Sequence, residues 1–106
     1  MRLFSVLLIP LFPLTAKSKP RHLPHYNDVR YYCAGQKTIE ARFFLGEKGK
    51  VKLKLSDGRK FELPQAEAAS GVRYANDKAT IEFWTKGEEA FFVEKEEITY
   101  NECVAR

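Results

Sequence analysis

A chain of 106 residues has room for one domain only. Its formal charge of +4 divides unevenly: residues 17–60 hold twelve Lys/Arg against four Asp/Glu, and residues 82–106 hold three against seven. Two cysteines without Cys-x-x-Cys spacing are too few for a cysteine metal centre and the wrong pattern for thiol redox chemistry.

The chain starts with a single charge at Arg2 and an apolar run over residues 3–14 that contains Pro10 and Pro13. That run is too short and too broken by proline to span a bilayer as a helix, so residues 1–16 read as a signal peptide ending at Ala16. No cysteine stands near the junction to accept a lipid. The expectation is an exported, periplasmic protein with no stable membrane insertion. Residues 17–28 lack periodicity, contain Pro20 and Pro24, and read as a flexible leader. His22, His25 and Asp28 lie in it, but no regular element fixes them, and no metal site is expected there.

From residue 29 the pattern changes to short β-branched and aromatic runs between turn signals, the signature of an all-β domain over residues 29–106. The predicted strands are 29–33, 38–45, 50–55, 59–63, 71–75, 79–84, 90–94 and 98–103. The third alternates most cleanly, with Val51, Leu53 and Leu55 on one face and Lys50, Lys52 and Lys54 on the other. Ser56-Asp57-Gly58 supplies a hairpin turn after it. Residues 64–69 break the alternation and read as a longer loop, with room for a helical turn. Eight short antiparallel strands close into a small barrel or stack as a flattened two-sheet sandwich. Phe43, Phe61 and Phe91 are expected to point inward and fill it. Export favours a disulfide between Cys33 and Cys103, near the two ends of the folded region.

Two segments carry candidate chemistry: Ser70-Gly71-Val72-Arg73-Tyr74 and Phe83-Trp84-Thr85-Lys86-Gly87. In each a glycine follows the polar residue, allowing a sharp turn that displays it. Three readings stand for Ser70 and Lys86: plain turn residues, a lysine-activated serine nucleophile, or a surface that projects a hydroxyl and an ammonium into a partner. Neither Ser-x-x-Lys nor Gly-x-Ser-x-Gly spacing occurs, which counts against the nucleophile. The basic stripe of Lys50, Lys52 and Lys54 reads first as a solvated face and secondarily as a contact for anionic lipopolysaccharide or a membrane; no nucleic-acid partner is expected.

Ala69-Ser70-Gly71-Val72-Arg73-Tyr74, then Phe83-Trp84-Thr85-Lys86-Gly87-Glu88-Glu89-Ala90, then Tyr100-x-x-Cys103, resembles the PliC/MliC family of periplasmic and membrane-bound inhibitors of c-type lysozyme. Tyr31-Tyr32-Cys33 and the hairpin over residues 50–63 fit the same layout. The resemblance implies an eight-stranded antiparallel barrel with one disulfide, no cofactor and no catalytic residue, whose partner is a c-type lysozyme. It implies that Ser70 and Lys86 enter the partner's cleft, with Gly71, Tyr74, Thr85 and Gly87 at the same site. Because c-type lysozymes are basic, Glu82, Glu88 and Glu89 are expected to form an acidic rim, with the lysine stripe facing away. A small barrel that binds an apolar ligand or a cell-envelope component is the rival reading.

Overall fold

The computed structural model describes residues 25–46 and 48–106. The expected signal peptide and the leader up to residue 24 lie outside the described residues. Eight strands follow one another there: β1 (Tyr26–Cys33), β2 (Lys37–Phe44), β3 (Lys50–Leu55), β4 (Lys60–Ala66), β5 (Val72–Ala75), β6 (Ile81–Lys86), β7 (Glu89–Glu94) and β8 (Glu97–Ala105). Each pairs antiparallel with the next and β8 returns to β1, so the sheet closes into a barrel. The expected all-β barrel is therefore the architecture, and the open sandwich is not. A single 3-10 turn, Ala34–Gln36, links β1 to β2, and no helix among the described residues is long and apolar enough to cross a membrane.

Several strand boundaries differ from expectation: β6 runs Ile81–Lys86 where 79–84 was predicted, β8 runs on to Ala105, and two further shifts have visible reasons. β1 begins at Tyr26, three residues before the predicted start at 29, because Tyr26, Asn27 and Asp28 are in register with Phe44, Phe43 and Arg42. Arg42 then donates two hydrogen bonds to the Asp28 carboxylate, at 2.7 and 3.0 Å. β4 runs through Pro64 to Ala66, where a loop was expected. Pro64 faces Lys50 at the end of the β3 ladder, and the ladder to β5 begins only at Gln65, so the missing N–H of proline falls outside it.

Alternation builds the interior. Val51, Leu53 and Leu55 are buried, while Lys52 and Lys54 between them are exposed. Ile39, Ala41, Leu63, Phe83, Phe92 and Tyr100 complete the core, with Phe43 and Phe61 packed against it as expected. Phe83 contacts Tyr31 edge-on at 5.7 Å and Phe43 at 6.2 Å, and Phe92 meets Phe61 at 5.4 Å and Tyr100 at 5.9 Å. The axis is thus filled by rings, the arrangement a packed barrel needs and a ligand-holding one lacks. Burial, with the Tyr74 hydroxyl nearby, pushes the Tyr31 phenol up to about 12.

Phe91 corrects the expectation of an inward ring. Phe83 pairs with Phe92 on the inside, so Phe91 falls on the outer face opposite Trp84. The two rings stack at 5.8 Å with an interplanar angle of 11°.

The closing seam between β1 and β8 has two register pairs, Tyr31 with Ala105 and Tyr32 with Val104. Cys33 and Cys103 occupy the next rung and form the expected disulfide across a separation of 70 residues. Arg59 donates to Glu94 at 2.7 and 2.9 Å and to Asp57 at 2.9 Å, tying the β3–β4 turn to β7. Arg59 holds the Glu94 carboxyl below its ordinary value of 4.5, helped by a hydrogen bond from Thr99.

Two outcomes are expected. Replacing both cysteines by serine lowers unfolding free energy by about 4 kcal/mol in urea titrations, the loop-closure value for a loop of this length. Since the folded Glu94 pKa lies below the unfolded one, its contribution is complete above the ordinary glutamate value and is lost as pH falls through the folded value. Urea midpoints followed into that acid range should drop, and Glu94→Gln should flatten the drop while lowering stability at neutral pH.

Candidate functional site

The end of β4, the start of β5, the end of β6 and the β6–β7 turn meet at one end of the barrel. What brings them together is a close backbone approach. Gly71 has φ +71°, and a Cβ placed on it would lie 2.6 Å from the Thr85 carbonyl oxygen and 3.3 Å from Lys86 Cβ. Only glycine lets the Ser70-Gly71 backbone rest on Thr85-Lys86, one rung beyond the Val72–Thr85 pair. Gly87, at φ +60°, faces open space and serves the tight turn between Lys86 and Glu89.

A second set of contacts holds the Ser70 loop. Arg73 Nε donates to Glu82 Oε1 at 3.0 Å, and its Nη1 donates to the Glu67 carbonyl at 3.2 Å. Trp84 Nε1 donates to the same Glu82 oxygen at 3.0 Å, and the guanidinium stands 5.6 Å from the centre of the indole. The Arg73 and Glu82 side chains are only 21% and 18% exposed, so the pair is partly desolvated and firmer than a surface ion pair. Glu82 is thereby taken up inside the site, and does not serve in the acidic rim expected of it.

Ser70, Thr85 and Lys86 line one groove of about 480 Å³ on the outer side of β6–β8. The stacked Trp84 and Phe91 and the exposed Val104 give it an apolar floor; Glu89, Asn101 and Glu102 give it a polar wall. Lys86 is exposed and makes no ion pair among the described residues, although Glu89 is its register partner. Glu102 has φ +53° at a bulge, where β8 advances from Tyr100 to Cys103 while β7 advances from Phe92 back to Ala90. The Asn101 carboxamide oxygen accepts from the Glu102 N–H at 2.8 Å and steadies that turn of the backbone.

A family described as membrane-bound lysozyme-inhibitor of c-type lysozyme, MliC, matches residues 31–100. The chain belongs to this family. Two curated proteins named membrane-bound lysozyme inhibitor of C-type lysozyme are similar to it. The one from Yersinia enterocolitica is 36% identical over 80 residues, covering 76% of this chain and 64% of that protein. The one from Cupriavidus necator is 38% identical over 66 residues, covering 62% of this chain and 51% of that protein. This MliC-family chain thus spans between about half and two thirds of those relatives' length. The crystal structure of PliC-St, a periplasmic lysozyme inhibitor of C-type lysozyme from Salmonella typhimurium, shares the fold with TM-score 0.66 at 19% identity, over 76% of this chain and 98% of that one.

Among the residues singled out from the MliC-like sequence, Ser70, Gly71, Thr85, Lys86 and Gly87 come together. Tyr74 does not join them at the surface. It alternates inward, is 7% exposed and packs on Phe43 at 5.8 Å and Phe83 at 6.5 Å, with burial raising its phenol pKa. It supports β5 from within. Sequence reasoning missed Phe91 and Val104 in the groove floor and Asn101 and Glu102 in its wall. Phe91 was accessible from the Phe83–Phe92 phase of alternation, whereas the β8 residues reach the site only through the bulge and the closed strand order.

Gly71→Ala and Gly87→Ala provide a paired measurement. Both introduce left-handed strain of about 1–2 kcal/mol, but only at position 71 is the collision with the Thr85 carbonyl added. Chemical denaturation should therefore rank Gly71→Ala as clearly the more destabilised variant; equal losses would mean that the close approach is not tight.

Proposed function

We propose that this chain is an exported inhibitor of a c-type lysozyme that inserts Ser70 and Lys86 into the enzyme's active-site cleft. The observation that carries this reading is the shared groove: the Lys86 ammonium has no internal ion-pair partner among the described residues, and the Ser70 loop is anchored directly against it. Membership of the lysozyme-inhibitor family supplies the partner class.

Glycosidases of this kind work with two carboxyl groups across a cleft, one protonated and one ionised. An ammonium entering a partly desolvated cleft donates a charge-assisted hydrogen bond to the carboxylate, and a hydroxyl beside it can donate to or accept from the second group. Inhibition then follows from occupancy and needs no covalent step, which makes the chain a binder and not an enzyme. Gly71 and the Arg73–Glu82–Trp84 contacts matter here because loops already ordered lose little conformational entropy on binding.

Long-range attraction to a basic enzyme comes from the acidic groups around Lys86. Glu88 and Glu89 are exposed at the β6–β7 turn, and Glu102 joins them from β8. With Glu82 engaged by Arg73 and Trp84, these three form the rim.

Lys86→Ala is expected to weaken binding to a c-type lysozyme by about 2–5 kcal/mol, the range for truncating one member of a buried charge pair. Ser70→Ala is expected to cost about 1–2 kcal/mol, one neutral hydrogen bond. Isothermal titration, alongside a cell-wall turbidity assay, measures both. Undiminished inhibition by a folded Lys86→Ala protein would falsify the insertion.

A further inference from the structure

The outer face of β1–β4 is a second charged surface on the side of the barrel away from the groove. Lys52 and Lys54 leave β3 on the outside, and Lys60 on β4 stands directly opposite Lys54. Two ammonium groups across one rung repel, so this pair is not there for stability. The three lysines line an open depression whose carboxylates are Asp28, Glu40 and Glu62.

Every one of those carboxylates is engaged elsewhere. Asp28 binds Arg42 at 2.7 Å, Glu40 binds Arg30 at 2.7 Å, and Glu62 binds Lys50 at 2.9 Å. The choice of partner is informative: Glu40 is in register with Lys54 and Glu62 with Lys52, yet each turns to another cation. Lys52, Lys54 and Lys60 are left with no ion pair among the described residues.

We propose that this face docks the protein onto a bilayer surface bearing anionic phosphate head groups, with Lys52, Lys54 and Lys60 as the contacts. Separate phosphates in a fluid leaflet can move to meet each lysine, and a negative surface potential attracts such a cluster. A stiff polyanion suits the face less well, because its continuous charge would run over the paired Asp28, Glu40 and Glu62 as well as the lysines. A tight protein partner is disfavoured by the lack of a large aromatic anchor among the residues lining the depression, where Phe61 is half-buried in the barrel. In the closed order β3 lies across the barrel from β7, so a docked molecule keeps the Ser70–Lys86 groove toward solution. This inference stands independently of the lysozyme reading.

The test uses the full chain and sedimentation with phosphatidylcholine vesicles, with and without phosphatidylglycerol. Lys54→Gln/Lys60→Gln is compared with Lys78→Gln/Lys95→Gln, which removes the same charge from turns outside the depression. Residues 1–24 are the same in every protein compared, so their contribution cancels in the comparison between the two variants. Binding is expected only with phosphatidylglycerol, to fall about 30-fold in the first variant, and to change less than about 3-fold in the second. Trp84, the single tryptophan, lies in the groove and reports orientation: its emission should escape quenching by nitroxide-labelled head groups. Equal binding to both vesicle types, equal losses in the two variants, or quenched Trp84 emission each overturn the proposal. So does a Lys54→Gln/Lys60→Gln protein that loses affinity for a short oligonucleotide but keeps it for vesicles.

Discussion

Between β1 and β8 the ladder supplies two register pairs, and the Cys33–Cys103 bond occupies the rung beside them. This narrow seam is what turns a meandering sheet into a barrel. Without it both terminal strands would present unpaired N–H and C=O groups, and the rings gathered around Phe83 and Phe92 would face water on the open side. A domain of this size buries too little surface for its core alone to hold such a seam shut, so a covalent link that restricts the unfolded chain carries unusual weight. The seam also reaches the groove: Asn101, Glu102 and Val104 line it only because β8 is held between β7 and β1.

Closure fixes the barrel, and a backbone contact fixes the loops on it. Two sequence-distant polar residues share a groove because Gly71 lies on the Thr85 carbonyl, and because Arg73 reaches both Glu82 and the Glu67 carbonyl. The β4–β5 ladder, with only Gln65–Tyr74 and Ala66–Arg73, would leave the Ser70 loop loosely held if it acted alone. The tryptophan is part of the same device. Its N–H orients Glu82, its face meets the Arg73 guanidinium, and it stacks on Phe91, so one side chain joins loop, β6 and β7.

The fold was legible from the sequence wherever one strand's own alternation decides facing. Lys50 to Leu55 announces both its faces, and all eight strands were placed by such local signals. Facing that depends on a partner was less legible. Phe91 and Phe92 are adjacent aromatics, and nothing in the β7 segment alone says which points inward; the pairing with Phe83 and the bulge opposite settle it. Tyr74 was misplaced for a related reason, since a motif groups residues by sequence while a strand sends neighbours to opposite sides. Ser70 and Lys86 were legible as displayed residues because glycine chemistry is local. The groove wall from β8 was not, because a β-bulge at Asn101 and Glu102 carries no glycine to mark it.

In a barrel where every strand neighbours the next, position along the chain becomes angle around the axis. An uneven charge distribution in the sequence must then become an uneven distribution in space, and no long crossover exists to mix the halves. Among the described residues, the basic residues of the first half cover β1–β4, and the glutamates of the last quarter surround β6–β8. Lys86 thus stands as the lone cation among the residues that line the groove, with Glu89 and Glu102 beside it. In the proposed complex its neighbours would set the long-range field, whereas the ammonium, carried on a flexible stem at the β6–β7 turn, would act only at contact distance. In the proposed insertion, attraction and contact fall to opposite charges on one surface, and the meander order permits both.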